Sequence, residues 1–559
     1  MEFSNREYLG FATYARSKGG QWRLHFNWPR IAVAVVALGI VGYLLLGLLC
    51  HYLMQQESTA AESLLYPISR ETRMEVRKRL GDKIIAEAKS EFAEERDFGA
   101  YFQKIRAGLM YSPNNPDGRI DFSSLLFYQK RTREAFEFLR DGLPYALNHK
   151  TYIQFFVRQS LELAQDDVLS DAAETLLPLF PIAEKASPEP NSLKDNYLIF
   201  AIGAAQANLL RGRFEKADEI LKKYEVGNSL SGHVLSAQIA WEQGEREKAL
   251  AVLRAALRVA PGNEQISMLY ALYLKESGDL PSARDVLARL ALLKNDPAIR
   301  VKILTLFPGE ENRAYRERLE KDFFDRYSED SAAFLVFAQY ATDTKNYDLV
   351  QKIYDRAHEN ALIDLPKFEL LRLEALILSG HSADALKVID ELNNGNYAWV
   401  KNYQGVIDCL RALAHYSNNQ ANLGRINVER VLKGQSVPAA RLIVLARRLD
   451  AFGFEEEARS VYESAYLLEN GNQTVLLELV RYALRHEDVS VLLRYLPPLL
   501  ETRRPPRAVL EEVQNFLGSD RMLFVAKRDA LITDVTQMLD ANKNDQVLNT
   551  DDTAPQSWF

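Results

Sequence analysis

The chain has 559 residues, too many for one compact core, so several domains or a repeat array must divide it. Hydrophobic residues make up 47% and charged residues 26%, which excludes a disordered or fibrous class. Two cysteines, Cys50 and Cys409, exclude a disulfide framework and leave no zinc-ligand spacing. Leu, Ala, Glu, Arg and Lys fill most segments and two-residue alternation is scarce, so an all-α chain is expected.

Residues 1–30 form a basic tail with Arg6, Arg16, Lys18, Arg23 and Arg30 against Glu2 and Glu7. Its aromatics Tyr8, Phe11, Tyr14, Trp22 and Phe26 suit either a tail lying at a membrane interface or a docking peptide, and the first is favoured. From Ile31 to Leu49 there is no charge, enough helix at about 1.5 Å per residue to cross about 30 Å of hydrocarbon. A transmembrane helix is therefore expected over 31–53, flanked by Trp28 and Tyr52. The competing reading is a signal peptide cut near Thr59-Ala60-Ala61, but the apolar run exceeds the usual signal length of about 7–15 residues. No Lys or Arg lies between Cys50 and Ser69, so the excess of positive charge before the span places the first 30 residues in the cytoplasm and the bulk outside it. The chain's net charge is −7 and the tail's is +3, which leaves −10 on the rest, a poor match for nucleic acid. Residues 54–79 read as a spacer that becomes helical.

From about residue 80 one pattern recurs: a turn, then an amphipathic helix with a small residue facing its neighbour. The clearest example is Gly244 to Pro261, where Ala249, Leu253 and Ala256 share one face and Pro261 ends the helix. A glycine stands five residues before an alanine in Gly212/Ala217, Gly244/Ala249, Gly278/Ala283, Gly309/Ala314, Gly380/Ala385 and Gly453/Ala458. Ala100, Ala135, Ala173, Val350, Gly424 and Val491 take the small position where the glycine is missing. Successive small positions lie 31 to 44 residues apart and cluster near 34.

A helix-turn-helix unit of about 34 residues resembles the tetratricopeptide repeat. Ala237, Ala249, Leu253, Ala256 and Pro261 fall at the family's small, bulky and terminating positions. Ala271, Gly278, Ala283, Leu287 and Leu290 repeat them. The family's early tryptophan is absent and several units are irregular in length. The resemblance implies an α-solenoid of about twelve degenerate repeats. A sub-array over 80–190 would precede a main array over 191–500, the two separated by a break among Pro178, Pro181, Pro188 and Pro190. Pro497, Pro498, Pro505 and Pro506 would close the array, capping helices would fill 501–541, and 542–559 would be a disordered tail.

Catalytic constellations are missing from the sequence: there is no phosphate-binding glycine loop, no nucleophile elbow and no His-Glu-x-x-His pair. His486-Glu487-Asp488 resembles a metal cluster but falls in a turn between repeat helices and reads as solvated. No enzyme activity, cofactor, metal or small-molecule substrate is expected. The resemblance implies instead that the first helix of each unit lines a concave groove. Projected onto this chain, that face holds Ile199, Ile202, Gln206 and Leu209, then Ser231, Val234, Gln238 and Trp241, then Gln265, Met268, Leu272 and Lys275. Its apolar and amide side chains suit an extended or helical protein segment. Trp241 is either the hot spot of that face or a residue packed between repeats. The terminal Ser557-Trp558-Phe559 has the Ser-x-apolar form accepted by PDZ grooves, which would point to PDZ-bearing periplasmic partners. Likeness to anchored relatives implies a single-pass protein of the bacterial inner membrane with a periplasmic array. Its expected work is scaffolding of protein partners in envelope assembly, export or pilus-type machinery. The alternatives are a cytoplasm-facing co-chaperone or assembly factor and a non-catalytic subunit of a membrane enzyme complex.

Overall fold

The computed structural model describes residues 6–8, 11–16, 22–53, 62, 65–66, 69–180, 192–395, 397–434 and 437–540. Before the first helix, the strands β1 (Arg6–Tyr8), β2 (Ala12–Arg16) and β3 (Trp22–Phe26) form an antiparallel meander in that order, with Ala12 opposite both Tyr8 and Phe26. The sequence reading anticipates only a tail here. Its aromatics recur at short, irregular intervals, too brief a signal to reveal three strands.

Helix α1 (Trp28–Leu53) follows, with mean hydropathy 2.7 in its best window and only 6% of that window buried. Val33, Leu38 and Leu48 are more than 60% exposed, so this helix is apolar all round and packs against almost nothing described. A helix of that kind finds its apolar surroundings either in a protein core or in lipid, and no core surrounds it here.

The chain divides into two compact units, one of residues 1–159 and 175–199, the other of 160–174 and 200–559. The expected break at 178–190 falls mostly outside the described residues. Unit 1 holds α2 (Arg70–Glu95), α3 (Phe98–Tyr111), α4 (Pro116–Tyr128) and α5 (Thr132–Gly142). The division then runs through α6 (Lys150–Glu162), α7 (Asp166–Leu176) and α8 (Ser192–Leu210). Unit 2 continues with α9 (Phe214–Lys223), α10 (Leu230–Glu242), α11 (Arg246–Val259), α12 (Glu264–Glu276), α13 (Leu280–Lys294), α14 (Pro297–Leu304) and α15 (Arg313–Tyr327). After these come α16 (Ser331–Asp343), α17 (Tyr347–Glu359), α18 (Leu365–Leu378), α19 (Ser382–Asn394), α20 (Ala398–Ser417) and α21 (Ala421–Gly434). The last are α22 (Ala439–Ala451), α23 (Glu455–Leu468), α24 (Gln473–Arg485), α25 (Val489–Glu501), α26 (Arg507–Leu517) and α27 (Arg528–Asp540). Among the described residues, α2 to α25 make twelve successive helix pairs, the hairpin unit from which α-solenoids are built, and α26 with α27 makes a thirteenth.

The repeating core is built from the small positions. Ala135, Ala173, Ala217, Ala249, Ala283, Ala385 and Ala458 are buried, as are Val350 and Val491. The large residue four positions later is buried too at Leu139, Leu221, Leu253, Leu287, Ile389, Tyr462 and Tyr495. A small residue lets the facing helix approach closely enough for the larger one to fill the seam. At Gly424 even a Cβ would lie 2.6 Å from the Tyr416 ring, so that seam tolerates nothing larger than hydrogen.

Two positions in the pattern depart from this scheme. Ala100 is exposed near the start of α3, which seals against α2 through Ile105, Gly108 and Leu109 instead. Ala314 is exposed at the start of α15, whose buried residues are Glu320, Phe323 and Tyr327. In that hairpin α14 has only eight residues and Gly309, at φ +86°, leads through a single 3-10 turn, so the helix starts out of phase. The closing prolines also differ from expectation: α25 runs through Pro497 and Pro498 and ends at Glu501.

Candidate partner-binding surface

The candidate face lies on the first helices α8, α10 and α12. Ser229 caps α10 by accepting from the Gly232 backbone NH at 3.0 Å, and Asn263 caps α12 by accepting from the Ile266 NH at 3.0 Å. At the other ends Gly244 (φ +82°) and Gly278 (φ +84°) take the left-handed conformation that turns the chain into α11 and α13. These caps fix which way each first helix rolls, and hence which side chains face outward.

Ser231 and Gln265 are exposed, Leu272 is 42% exposed, and Ile199, Ile202, Gln206, Gln238, Trp241, Met268 and Lys275 are half-buried. Val234 and Leu209 are buried, and Val234 belongs to the core cluster with Ala237, Ala249 and Leu253. Their side chains are already occupied within the fold, and a sliding 34-residue projection does not separate them from their half-exposed neighbours. Trp241 stacks on Tyr273 with ring centroids 3.9 Å apart and planes 4° from parallel, while the Arg246 guanidinium lies 5.4 Å from its ring. It joins α10 to α12 and still keeps part of its ring accessible. Burial, with Glu242 and Glu276 nearby, pushes the Tyr273 phenol up, so it stays neutral. Arg254 on α11 donates to the Tyr270 hydroxyl at 3.0 Å and adds a polar tie between successive hairpins. Ser557, Trp558 and Phe559 lie outside the described residues.

Sequence reasoning missed a ladder of charged residues joining later first helices. Arg448 on α22 reaches Glu374 on α18 at 3.1 Å and lies 3.6 Å from Asp343 on α16. Arg447 donates to Glu478 at 2.8 Å, and Arg481 approaches the same carboxylate at 3.2 Å. Burial opposes ionisation of Glu478, but those two guanidinium groups win and hold its carboxyl below the usual range. Asp343 goes the other way: burial outweighs Arg448 and Gln339 and pushes it up to about 6. Asp450 accepts from Arg485 at 2.6 Å and lies 2.5 Å from His486 Nε2, whose Nδ1 is 3.2 Å from Glu455. His486 is thus a hydrogen-bond partner of Asp450 in the neighbouring repeat rather than a freely solvated turn residue, while Asp488 caps α25 through the Ser490 and Val491 NH groups. The available signal was opposite charge at equivalent positions one repeat apart, such as Asp450 and Arg485.

Among the described residues no group of three or more His, Cys, Asp or Glu side chains could hold a metal ion. Cys409 is fully buried and its thiol is pushed up by burial, the reverse of an activated nucleophile. The arrangement offers accessible side chains on packed first helices.

No curated protein is significantly similar to the chain. Among solved structures it is similar to yeast Tom70 at 13% identity, with 82% of this chain and 99% of that one covered and a TM-score of 0.32. A tetratricopeptide repeat protein from Parabacteroides merdae is 16% identical over 51% of this chain and 98% of its own, with a TM-score of 0.28. The Cut9–Hcn1 hetero-tetramer of the APC/C is 12% identical over 87% of this chain and 90% of its own, with a TM-score of 0.26. The family model described as tetratricopeptide repeat matches residues 240–304, the stretch that carries Trp241, Gly244, Ala249 and Gly278. That match lies in the middle of a run of helical hairpins whose small positions are buried, so residues 240–304 are similar to the tetratricopeptide repeat and the hairpins around them share its helix-turn-helix form.

Proposed function

We propose that this protein is a membrane-anchored scaffold that binds protein partners through the first-helix face around Trp241. The observation that supports anchoring is α1 itself, whose apolar window is 2.7 in mean hydropathy and 6% buried, beside helices that bury their own apolar faces. Left in water, some 20 apolar side chains would be exposed, so a bilayer is the environment in which this helix is satisfied. The basic residues before α1 orient the tail toward the cytoplasm and the repeats toward the periplasm. Gln206, Gln238, Trp241, Met268 and Leu272 offer amide donors and acceptors beside apolar contact area, a surface for an extended or helical segment of another protein. Scaffolding in envelope assembly, export or pilus-type machinery, with Ser557-Trp558-Phe559 as a second docking element, is the setting in which such a surface would be used.

A reporter enzyme fused after residue 60 tests the topology. Activity of a reporter that works only outside the cytoplasm is expected, and activity of one that works only inside it overturns the orientation. Crosslinking in membranes tests the surface: Trp241→Ala should reduce capture of a defined partner several-fold while leaving the helical signal in circular dichroism unchanged. Equal capture by both forms removes Trp241 from the binding face.

A further inference from the structure

The segment after α25 does not simply lead into the terminal helix pair. Within unit 2 it bonds to turns about 300 residues earlier in the chain. Arg503 grips Asp166 with two hydrogen bonds, Nε to Oδ2 at 2.9 Å and Nη2 to Oδ1 at 2.8 Å, and donates to the Leu161 carbonyl as well. Asp166 is 1% exposed and is shared with Arg211, whose Nε lies 3.3 Å away. Arg211 in turn donates to the carbonyls of Glu501 and Thr502 at 3.1 and 2.8 Å. The Arg504 backbone NH donates to the Leu210 carbonyl at 2.9 Å, its side chain bonds Glu242 at 2.6 Å, and its guanidinium lies 5.3 Å from the Phe214 ring. Gly212 leaves room for it, since a Cβ there would stand 2.6 Å from Arg504 Cδ. On its own side, the Gln473 amide holds the Arg503 and Arg504 carbonyls at 3.0 and 3.4 Å.

We propose that residues 501–506 form a releasable clasp, pinned by Arg503 on Asp166 and Arg504 on Glu242, that fastens the late repeats of unit 2 to its early ones and shields the Trp241 end of the partner-binding face. The second half of this statement rests on the function proposed for that face; the first does not. The chemistry of the contact is the reason it can release. The described bonds are ion pairs, hydrogen bonds to carbonyls and one cation–π contact, all of which water and counter-ions can replace, and Pro505 is the one buried apolar residue of the segment. Glu242 immediately follows Trp241 on α10, so the clasp sits at the edge of the candidate groove. A partner carrying its own cationic group could take over Glu242 as the clasp lets go.

Spin labels at Glu215→Cys and Glu512→Cys, both exposed sites, in full-length protein with Cys50→Ser and Cys409→Ala, read the state of the clasp by pulsed electron resonance. A single narrow distance is expected with native arginines, and a longer, broader distribution with Arg503→Ala and Arg504→Ala combined. An unchanged distribution in that variant overturns the proposal. If the variant loses its helical circular dichroism signal, the exchange pair decides: Arg504→Glu should open the clasp and added Glu242→Arg should close it again, and failure to reclose overturns the pin. Deuterium uptake by residues 236–246 should rise several-fold on opening. No rise overturns the shielding of the Trp241 face and leaves the clasp standing, and neither readout involves a partner.

Discussion

Individual side chains show how far a repeat can bend its own rules. Asp343 sits beside Glu374, and both carboxyls face the one guanidinium of Arg448. Burial wins at Asp343 and pushes it up to about 6 from an ordinary 3.8. The folded state therefore holds this proton more tightly than the unfolded chain does, so the group's stability contribution falls as pH rises from about 4 to about 6 and stays low above that. Replacing Asp343 with Asn should raise stability at pH 7 by about 1–2 kcal/mol, allowing for partial solvent screening, and flatten that part of the profile. Urea unfolding at pH 4 and pH 7 checks it: the gain should be present at pH 7 and nearly absent at pH 4. Position alone marks Asp343 as an ordinary helix end. Only Arg448, 105 residues later, reveals what it does.

At the scale of the helix pair, the turn and the seam set the terms. Five repeats turn on a glycine placed five residues before a buried small residue, at Gly212, Gly244, Gly278, Gly380 and Gly453, but Lys130, Lys345 and Asn419 occupy the same place at φ +60°, +56° and +58°. A side chain in that conformation costs about 1 kcal/mol relative to glycine. Exposed Lys345 makes no described contact that would be lost, so Lys345→Gly should stabilise the protein by about 0.5–1 kcal/mol, measured as a shift in denaturation midpoint. The seam gives the opposite sign. At Gly424 an added Cβ meets the Tyr416 ring at 2.6 Å, and Tyr416 is nearly fully buried. Gly424→Ala should therefore cost about 1–3 kcal/mol despite alanine's better helix propensity. An increase in stability there would mean that α20 and α21 can separate without penalty. Glycine spacing located the turns at Gly212, Gly244, Gly278, Gly380 and Gly453 in advance, but it gave no warning that α14 is short and that Ala314 falls out of phase.

For the molecule as a whole, the apolar helix and the repeats are separate problems in burial. The window in α1 is 6% buried, so little of its apolar surface stabilises anything else in the chain. A protein lacking residues 1–53 should partition to the soluble fraction and keep the thermal unfolding midpoint of the full-length form in detergent, to within a few degrees. A marked drop in that midpoint would show that the repeats lean on α1. The clasp at residues 501–506 belongs to the same scale, because it links hairpins that are neighbours in neither sequence nor repeat order.

What the sequence determined by itself is everything periodic. Helical spacing, a small residue every 34 or so positions and glycine at the turns dictate paired helices, because each pair leaves an apolar side that only the next pair can cover. An uncharged run of 19 residues likewise dictates one long apolar helix, since its composition leaves no polar face to meet water. The tertiary structure alone decided which residues of the projected face remain accessible, placing Val234 and Leu209 in the core and leaving Trp241 half-exposed on Tyr273. It alone joined Arg503 to Asp166 and Arg448 to Glu374 and Asp343. Those contacts depend on the small rotation between one repeat and the next, summed over several repeats, and no local pattern in the sequence carries that sum.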